Sequence, residues 1–448
     1  MMGDRRVAQD SLFYEFRLEE HVPASHMLRS IDRFVDLTGL RAYLSGFYSS
    51  TGRPSIDPEL MIRMLIVGYC YGIRSERRLC EEVHLNLAYR WFCRLGLQGD
   101  VPDHSTFSKN RHGRFAESDI FRRLFEEVVA RCIAEGLVGG EGFAVDASLI
   151  EADANRQRSV AATEWKAPTE VASRSVREYL AVLEENTWGA ATDVQPKFIS
   201  GSDPAAQWTA ARDGPAIFAY SDNYLIDLRS AVIVDVEPSR SVRQAEVGAA
   251  KVMIERTADR FGLKPDRLAA DTAYGSAEML NWLTEERKIA PHVPVIDKSA
   301  RRDGTFARSD FQYDKSADTY VCPAGKSLTT TGTLVNDSST LLYRGSKQDC
   351  DQCQLKARCC PNTPARKIPR SLYESARDLA RSLADTPAFE QSRRERKKVE
   401  MLFAHLKRIL RLDRLRLRGP RGARTEFLLA ATAQNLRKLA KLIPIPAT

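Results

Sequence analysis

Near Gly142 the spacing of apolar residues changes, and no single regular architecture accommodates both sides of that change. Upstream, in "SIDPELMIRMLIVGYCYG", a capping Ser or Asp and Pro58 precede apolar positions at helical spacing. Ser75 opens a second such stretch, and Ser105 would cap a third, short helix in "DHSTFSKNRHGRF". Downstream the period is two. "GFAVDASLI" alternates as a strand, and "FAYSDNYLIDLRSAVIVDVEPS" reads as two antiparallel strands joined near Asp227. "DRLAADTAYGS" is a short strand running into a turn, and "IAPHVPVID" is another strand. Helical stretches over 243–261 and 276–288 fall between them. Antiparallel strands followed by strands alternating with helices predict a mixed α/β layer on one central sheet, preceded by an all-α segment.

A chain of 448 residues is long enough for two or three domains. The texture divides it into a helical part, 1–135, and an α/β part, 136–448. Within the second, 155–215 is polar and irregular, which predicts an insertion or loop. The longest apolar stretch of the first half is interrupted by Arg63 and too short to cross a bilayer, and no apolar signal-peptide core follows the start Met. A cytoplasmic or nucleoid location, with no membrane partner, is the expectation.

Charge is unevenly placed. The whole chain carries +8, while residues 391–448 hold 16 Lys and Arg against 4 Asp and Glu, a net +12. A basic excess confined to one end suits a polyanion, because Lys and Arg that neutralise phosphates release counterions; a solvated helical face is the plainer alternative. The short helix with Lys109, Arg111, His112 and Arg114 ends a helical trio. Such trios either enter a DNA groove through their last helix or serve as plain packing units.

In "RRERKKVEMLFAHLKRILRL" Val399, Leu402, Phe403, Leu406 and Leu410 form an apolar stripe. Arg396, Glu400 and Lys407 lie on one line beside it, so Glu400 sits at the rim where the helix meets what it packs on. Asp146 ends "FAVD" and Asp271 ends "LAAD", which predicts both at strand termini, where functional groups of open sheets collect. Three converging carboxylates repel unless neutralised. Mg²⁺ prefers carboxylate oxygen, and paired ions suit phosphoryl transfer. Glu151, Asp153, Asp203, Asp222 and Asp235 compete for the same role, and spacing does not choose among them.

"AVDAS", "AADTAYG" and the spacing of Arg396, Glu400 and Lys407, in that order, resemble the DDE transposases of bacterial insertion sequences. The resemblance extends over nearly the whole chain. It implies an RNase H-like catalytic sheet with flanking helices behind a helical DNA-binding domain. It implies Asp146, Asp271 and Glu400 as the metal-binding triad, with Mg²⁺ or Mn²⁺ as cofactor, and Arg396 and Lys407 as DNA phosphate contacts. The activity implied is cleavage at transposon ends by water, freeing a 3′-hydroxyl that then attacks target DNA. The partners implied are double-stranded terminal repeats and target DNA, met by a homodimer. The related signature often has Tyr three residues before the arginine; here Arg393 stands there. A silent DNA-binding regulator and a nuclease without strand transfer are the alternatives.

Cys70, Cys80, Cys93 and Cys132 lie in apolar helical sequence and read as core residues. Cys322, Cys350, Cys353 and Cys359 or Cys360 cluster in about 300–370, an insertion into the catalytic part. They suit a structural tetrahedral Zn²⁺ or remain unliganded thiols. In "RLRLRGPRGARTEFLLAATAQNLRKLAKL" Arg and Leu alternate before a Gly-Pro turn, and a helix capped by Thr425 is expected next. Arg414, Arg416, Arg418 and Arg421 there either meet phosphate or simply face water.

Overall fold

The computed structural model describes residues 16–48, 51, 55–166, 173–184, 196–210, 214–297, 301, 303–336 and 339–444. Among the described residues the main sheet has six strands: β1 (Gly142–Glu151), β2 (Gln207–Ala210), β3 (Ala216–Asp227), β4 (Ile233–Arg240), β5 (Arg267–Ala269) and β6 (Ala290–His292). β3 pairs antiparallel with β1, with β4 and, near its start, with β2. Beyond β1 the sheet continues parallel through β5 to β6. β3 and β4 form the expected hairpin, and Asp227 closes it by accepting the Arg229 N–H at 2.9 Å. β3 is buried along most of its length, including the polar Ser221, Asp222 and Asn223 in its middle.

The helical front follows its caps. Asp57 accepts the Glu59 N–H and Pro58 occupies the first turn of the Pro58–Cys70 helix, while Ser75 caps Glu76–Leu85. The third start differs from expectation: Asp103, not Ser105, caps His104–Asn110, because its carboxylate reaches the Ser105 N–H and hydroxyl at 2.8 and 2.6 Å. The Arg243–Phe261 helix has the expected bounds, and Ala277–Asn281 runs on into a wider π-type turn, Trp282–Glu286. No helix among the described residues is long and apolar enough to cross a membrane.

The C-terminal stretch also differs. Gly419–Leu442 is one helix with Pro420 in its first turn and Thr425 buried inside it, so neither a Gly-Pro turn nor a Thr425 cap forms. A proline is tolerated there because the N–H it lacks would have no helical partner anyway. Gly419 enters at φ +82°, and an added Cβ would stand 2.6 Å from Glu178 Oε2. The glycine therefore lets the helix start close against the Arg174–Glu184 helix.

This terminal helix is buried on nearly all sides, since it packs on β4 and on helices Met27–Asp32, Pro58–Cys70 and Ile120–Ala134. One apolar core consequently runs from Leu28, Met64 and Phe125 of the front, through Val145, Leu225 and Val234 of the sheet, to Phe427 and Leu436. The 155–215 segment is not wholly irregular: it supplies β2, the paired strands Ser159–Ala161 and Phe198–Ser200, and a helix. Its residues 167–172, 185–195 and 211–213 lie outside the described residues. The cysteine-bearing stretch has two small three-stranded sheets. Its separate apolar cluster includes Phe311, Tyr320, Leu328, Tyr343 and Ile368.

Candidate active site

The last parallel rung between β1 and β5 joins Ala144 to Ala269. Two residues past that rung stand Asp146, within β1, and Asp271, just beyond the end of β5, so the register directs them to the same level at the edge of the paired segment. Asp271 follows the end of β5, as expected. Asp146 does not end its strand: β1 continues to Glu151, because β3 keeps pairing with it from Asp146↔Tyr224 to Glu151↔Ala219. Asp146 thus lies beside the gap where β5 stops.

The Asp271 turn is held from three sides. Its own carboxylate accepts the Ala273 N–H at 2.8 Å. Arg243 donates to Ala273 O at 2.8 Å and Thr272 O at 3.2 Å. Ile296 N–H reaches Gly275 O at 3.0 Å, and a Cβ on Gly275 would stand 2.0 Å from Pro294 O, so only glycine fits.

Glu400 arrives on the Pro387–Arg408 helix, whose start is set by Thr386 and Pro387. Val399, Phe403 and Leu406 are buried, with Phe403 stacked on Tyr224 of β3 at 4.7 Å. Ser392 meets His292 of β6 at 2.7 Å, and Lys398 donates to Leu228 O at 2.5 Å. These contacts set the helix across the sheet with its rim over Asp146. Arg396 then joins the two carboxylates: it lies 2.9 Å from Asp146 Oδ2 and 3.4 Å from Glu400 Oε1. Glu400 remains the open member, its side chain 57% exposed against 19% for Asp146 and 22% for Arg396.

Burial pushes the Asp146 carboxyl up to about 6. The Ala147 N–H and Arg396 hold it down, while the charges of Asp271 and Glu400 push it further up. These acids therefore act on one another and want positive charge. Among the described residues, no group of three or more His, Cys, Asp or Glu is gathered closely enough to hold a metal ion. Arg396 supplies the positive charge instead. The all-oxygen donors and the cation already standing between two of them fit a divalent ion such as Mg²⁺ in chemistry.

Two neighbours carried no signal that singled them out in the sequence. Glu246, in the first turn of Arg243–Phe261, accepts from Ser221 Oγ at 2.7 Å. Burial and then the Asp271 charge raise its pKa. Tyr274 lies within "AADTAYG", yet only the fold shows its hydroxyl buried beside these acids.

The competing acids separate cleanly. Asp235 is buried between Arg122 and Arg256, at 2.5 and 2.7 Å. Glu151 and Asp153 face Arg414, and Asp153 also binds Arg418 at 2.9 Å. Asp222 is fully buried, and burial holds its carboxyl well above the usual range. Asp203 is fully buried too, accepting from Tyr220 Oη at 2.7 Å and Gly419 N–H at 3.1 Å.

Burial pushes Asp203 up to about 6. Its folded form then holds a proton that the unfolded chain releases, so its stabilising contribution is present below about pH 4 and is lost as pH rises through about 6. Asp203→Asn removes this titration. Between about pH 4 and about pH 7.5 the variant should gain about 3 kcal/mol relative to the unaltered chain. Urea midpoints of both proteins at both pH values measure this, and an unchanged difference would count against it.

Of the basic residues, Arg414, Arg416 and Arg418 are exposed, while Leu415 and Leu417 between them are buried, along a segment that bridges the end of β1. Lys109 is exposed. Arg114 is half-buried and bonded to Ser55 and Asn110. Arg111 is buried on Glu76 at 3.0 Å and Tyr69 Oη at 2.7 Å. Lys407 is half-buried, and the charges of Asp222 and Asp413 act on it. Cys322, Cys350, Cys353, Cys359 and Cys360 line one small pocket, where Cys322 Sγ accepts the Lys326 N–H at 3.3 Å. The other four cysteines are buried as expected.

Comparison with protein families finds two matches. Residues 16–113 match a model described as Transposase domain (DUF772). Residues 321–440 match one described as Transposase DDE domain. The second contains Arg396, Glu400 and Lys407; Asp146 and Asp271 fall between the two. No curated protein and no solved structure matches the chain.

Proposed function

With a transposase domain over its helical front and a transposase DDE domain toward its C-terminus, the chain is a DDE transposase of an insertion sequence, and from that premise we propose that it cuts DNA at the ends of a mobile element and joins the freed strand to target DNA. The observation that carries this reading is that Asp146 and Asp271 each stand two residues past the last rung joining their strands, with Arg396 linking Asp146 to Glu400. The strand order, an antiparallel meander followed by two parallel strands, is what supports an RNase H-like catalytic core.

Asp146, Asp271 and Glu400 would hold a pair of divalent cations, Mg²⁺ or Mn²⁺, whose chemistry is to acidify water and neutralise the attacking and leaving oxygens of a phosphodiester. The protein's part is placement. The sheet and the clamped Asp271 turn set two carboxylates, and the Pro387–Arg408 helix brings the third from the open side. Arg396, once its carboxylate partners are neutralised otherwise, is free to bind the phosphodiester beside them. The exposed row Arg414, Arg416 and Arg418 and the exposed Lys109 extend phosphate contact outward. A homodimer bridging two element ends belongs to the same reading.

The test is incubation of the full chain with labelled element-end DNA and Mg²⁺ or Mn²⁺. Nicked ends and end-to-target joined strands are expected. A second reading, a DNA-binding regulator without catalysis, rests on the guanidinium lying between two of the acids. It predicts a bound but uncut probe, and a nuclease predicts cuts without joined products.

A further inference from the structure

Tyr274 closes the turn after Asp271 and points inward. It is 2% exposed, and its hydroxyl has no hydrogen-bond partner among the described residues. Buried hydroxyls are nearly always paired, so a lone one marks a place where an acceptor belongs. The charges surrounding this hydroxyl are those of Glu246, Asp146, Asp271 and Arg396. Glu246 stands on the helix whose Arg243 pins the backbone of the same turn at Thr272 and Ala273. Ser221 of β3 fixes one of its oxygens at 2.7 Å. Turn, helix and strand therefore hold Tyr274 and Glu246 in set places behind Asp271.

Resting on the reading of Asp146, Asp271 and Glu400 as a cation-holding group, we propose that Tyr274 and Glu246 are positioning residues of that site. With a divalent cation held by that group, the Tyr274 hydroxyl would donate to an oxygen of Asp146 or Asp271 and orient it. Glu246, behind them, adds negative charge without touching the cation. Partners of this kind commonly matter about 10–100-fold to metal affinity. A purely structural hydroxyl would differ in one respect: its removal would leave cation affinity unchanged, whatever it did to stability.

The experiment titrates Mn²⁺ into the full DNA-free chain, following the free-ion signal by electron paramagnetic resonance. Tyr274→Phe and Glu246→Gln should each weaken Mn²⁺ binding about tenfold, with thermal unfolding of Tyr274→Phe unchanged. Glu246→Asp should recover part of the loss. Mn²⁺ affinity within about twofold of the unaltered chain in both variants would overturn the proposal, since effects of about tenfold or more are expected. Asp146→Asn is the reference: if it binds Mn²⁺ as well as the unaltered chain, or if the unaltered chain binds none, the carboxylate site itself falls, and this proposal with it.

Discussion

Asp146→Asn is expected to lower strand cleavage by about 10²–10³-fold while element-end DNA still binds, because removing one charge-stabilising group from a preorganised site typically costs that much. The amide is nearly isosteric and leaves the Asp146↔Tyr224 rung of the sheet intact. What it loses is the charge that Arg396 now meets at 2.9 Å and that a divalent cation would meet in its place. Gel-shift and nicking assays on one preparation separate the two effects. Cleavage at the unaltered rate would remove Asp146 from the chemistry, and loss of both binding and fold would make it a structural residue. Glu400→Gln should act in the same direction, with less effect on folding, because Glu400 is the most exposed of the three acids whose exposure decides access.

The largest effect on stability is expected at Glu426, on the Gly419–Leu442 helix. This buried carboxylate pairs with Arg74, itself almost fully buried, and accepts the N–H groups of Arg416 and Leu417 at 2.7 and 2.6 Å. Arg74 also lies over the Tyr69 ring at 4.4 Å. One side chain thereby joins the helical front, the Arg-Leu segment and the terminal helix. Glu426→Ala would leave a buried guanidinium without its counter-charge and two N–H groups without their acceptor, and breaking a buried ion pair from one side costs about 3–5 kcal/mol. A fall of that size in the unfolding free energy, extrapolated from urea titration, is expected. Replacing both partners, Glu426→Leu with Arg74→Met, should recover part of it, because no buried charge remains while the Arg416 and Leu417 N–H groups still lack their acceptor. A single variant as stable as the original would show that the pair does not hold these parts together.

These two residues differ in how visible they were beforehand. Asp146 sits at the end of a short alternating run, and with Asp271 and Glu400 it forms a pattern whose order carries meaning. Glu426 sits in "RTEFLLAATAQNL" with nothing to separate it from an exposed helical glutamate. Its partner lies 352 positions away, a distance over which local spacing conveys nothing. Arg111 went the other way. On its short helix it looks like a groove-facing base, yet Glu76 and Tyr69 turn it inward. The Asp103 cap and the start of the terminal helix at Gly419 were legible in kind but misplaced by a few residues, since Asp and Ser two positions apart, or Pro and Thr in one stretch, offer competing starts.

Local order was determined by the sequence itself. The hydrophobic period, the caps at Asp57 and Ser75 and the apolar stripe of the Pro387–Arg408 helix are settled by residues within a turn or two of one another, so they could be read from neighbours alone. Tertiary structure alone decided three things: that Asp146 and Asp271 stand level, that Arg396 falls between Asp146 and Glu400, and that Glu246 and Tyr274 stand behind them. The physical reason is that each depends on strand register and helix packing between segments that are separate in the chain, by 125 residues for Asp146 and Asp271 and 250 for Asp146 and Arg396, where a shift of one residue would turn every side chain to the opposite face.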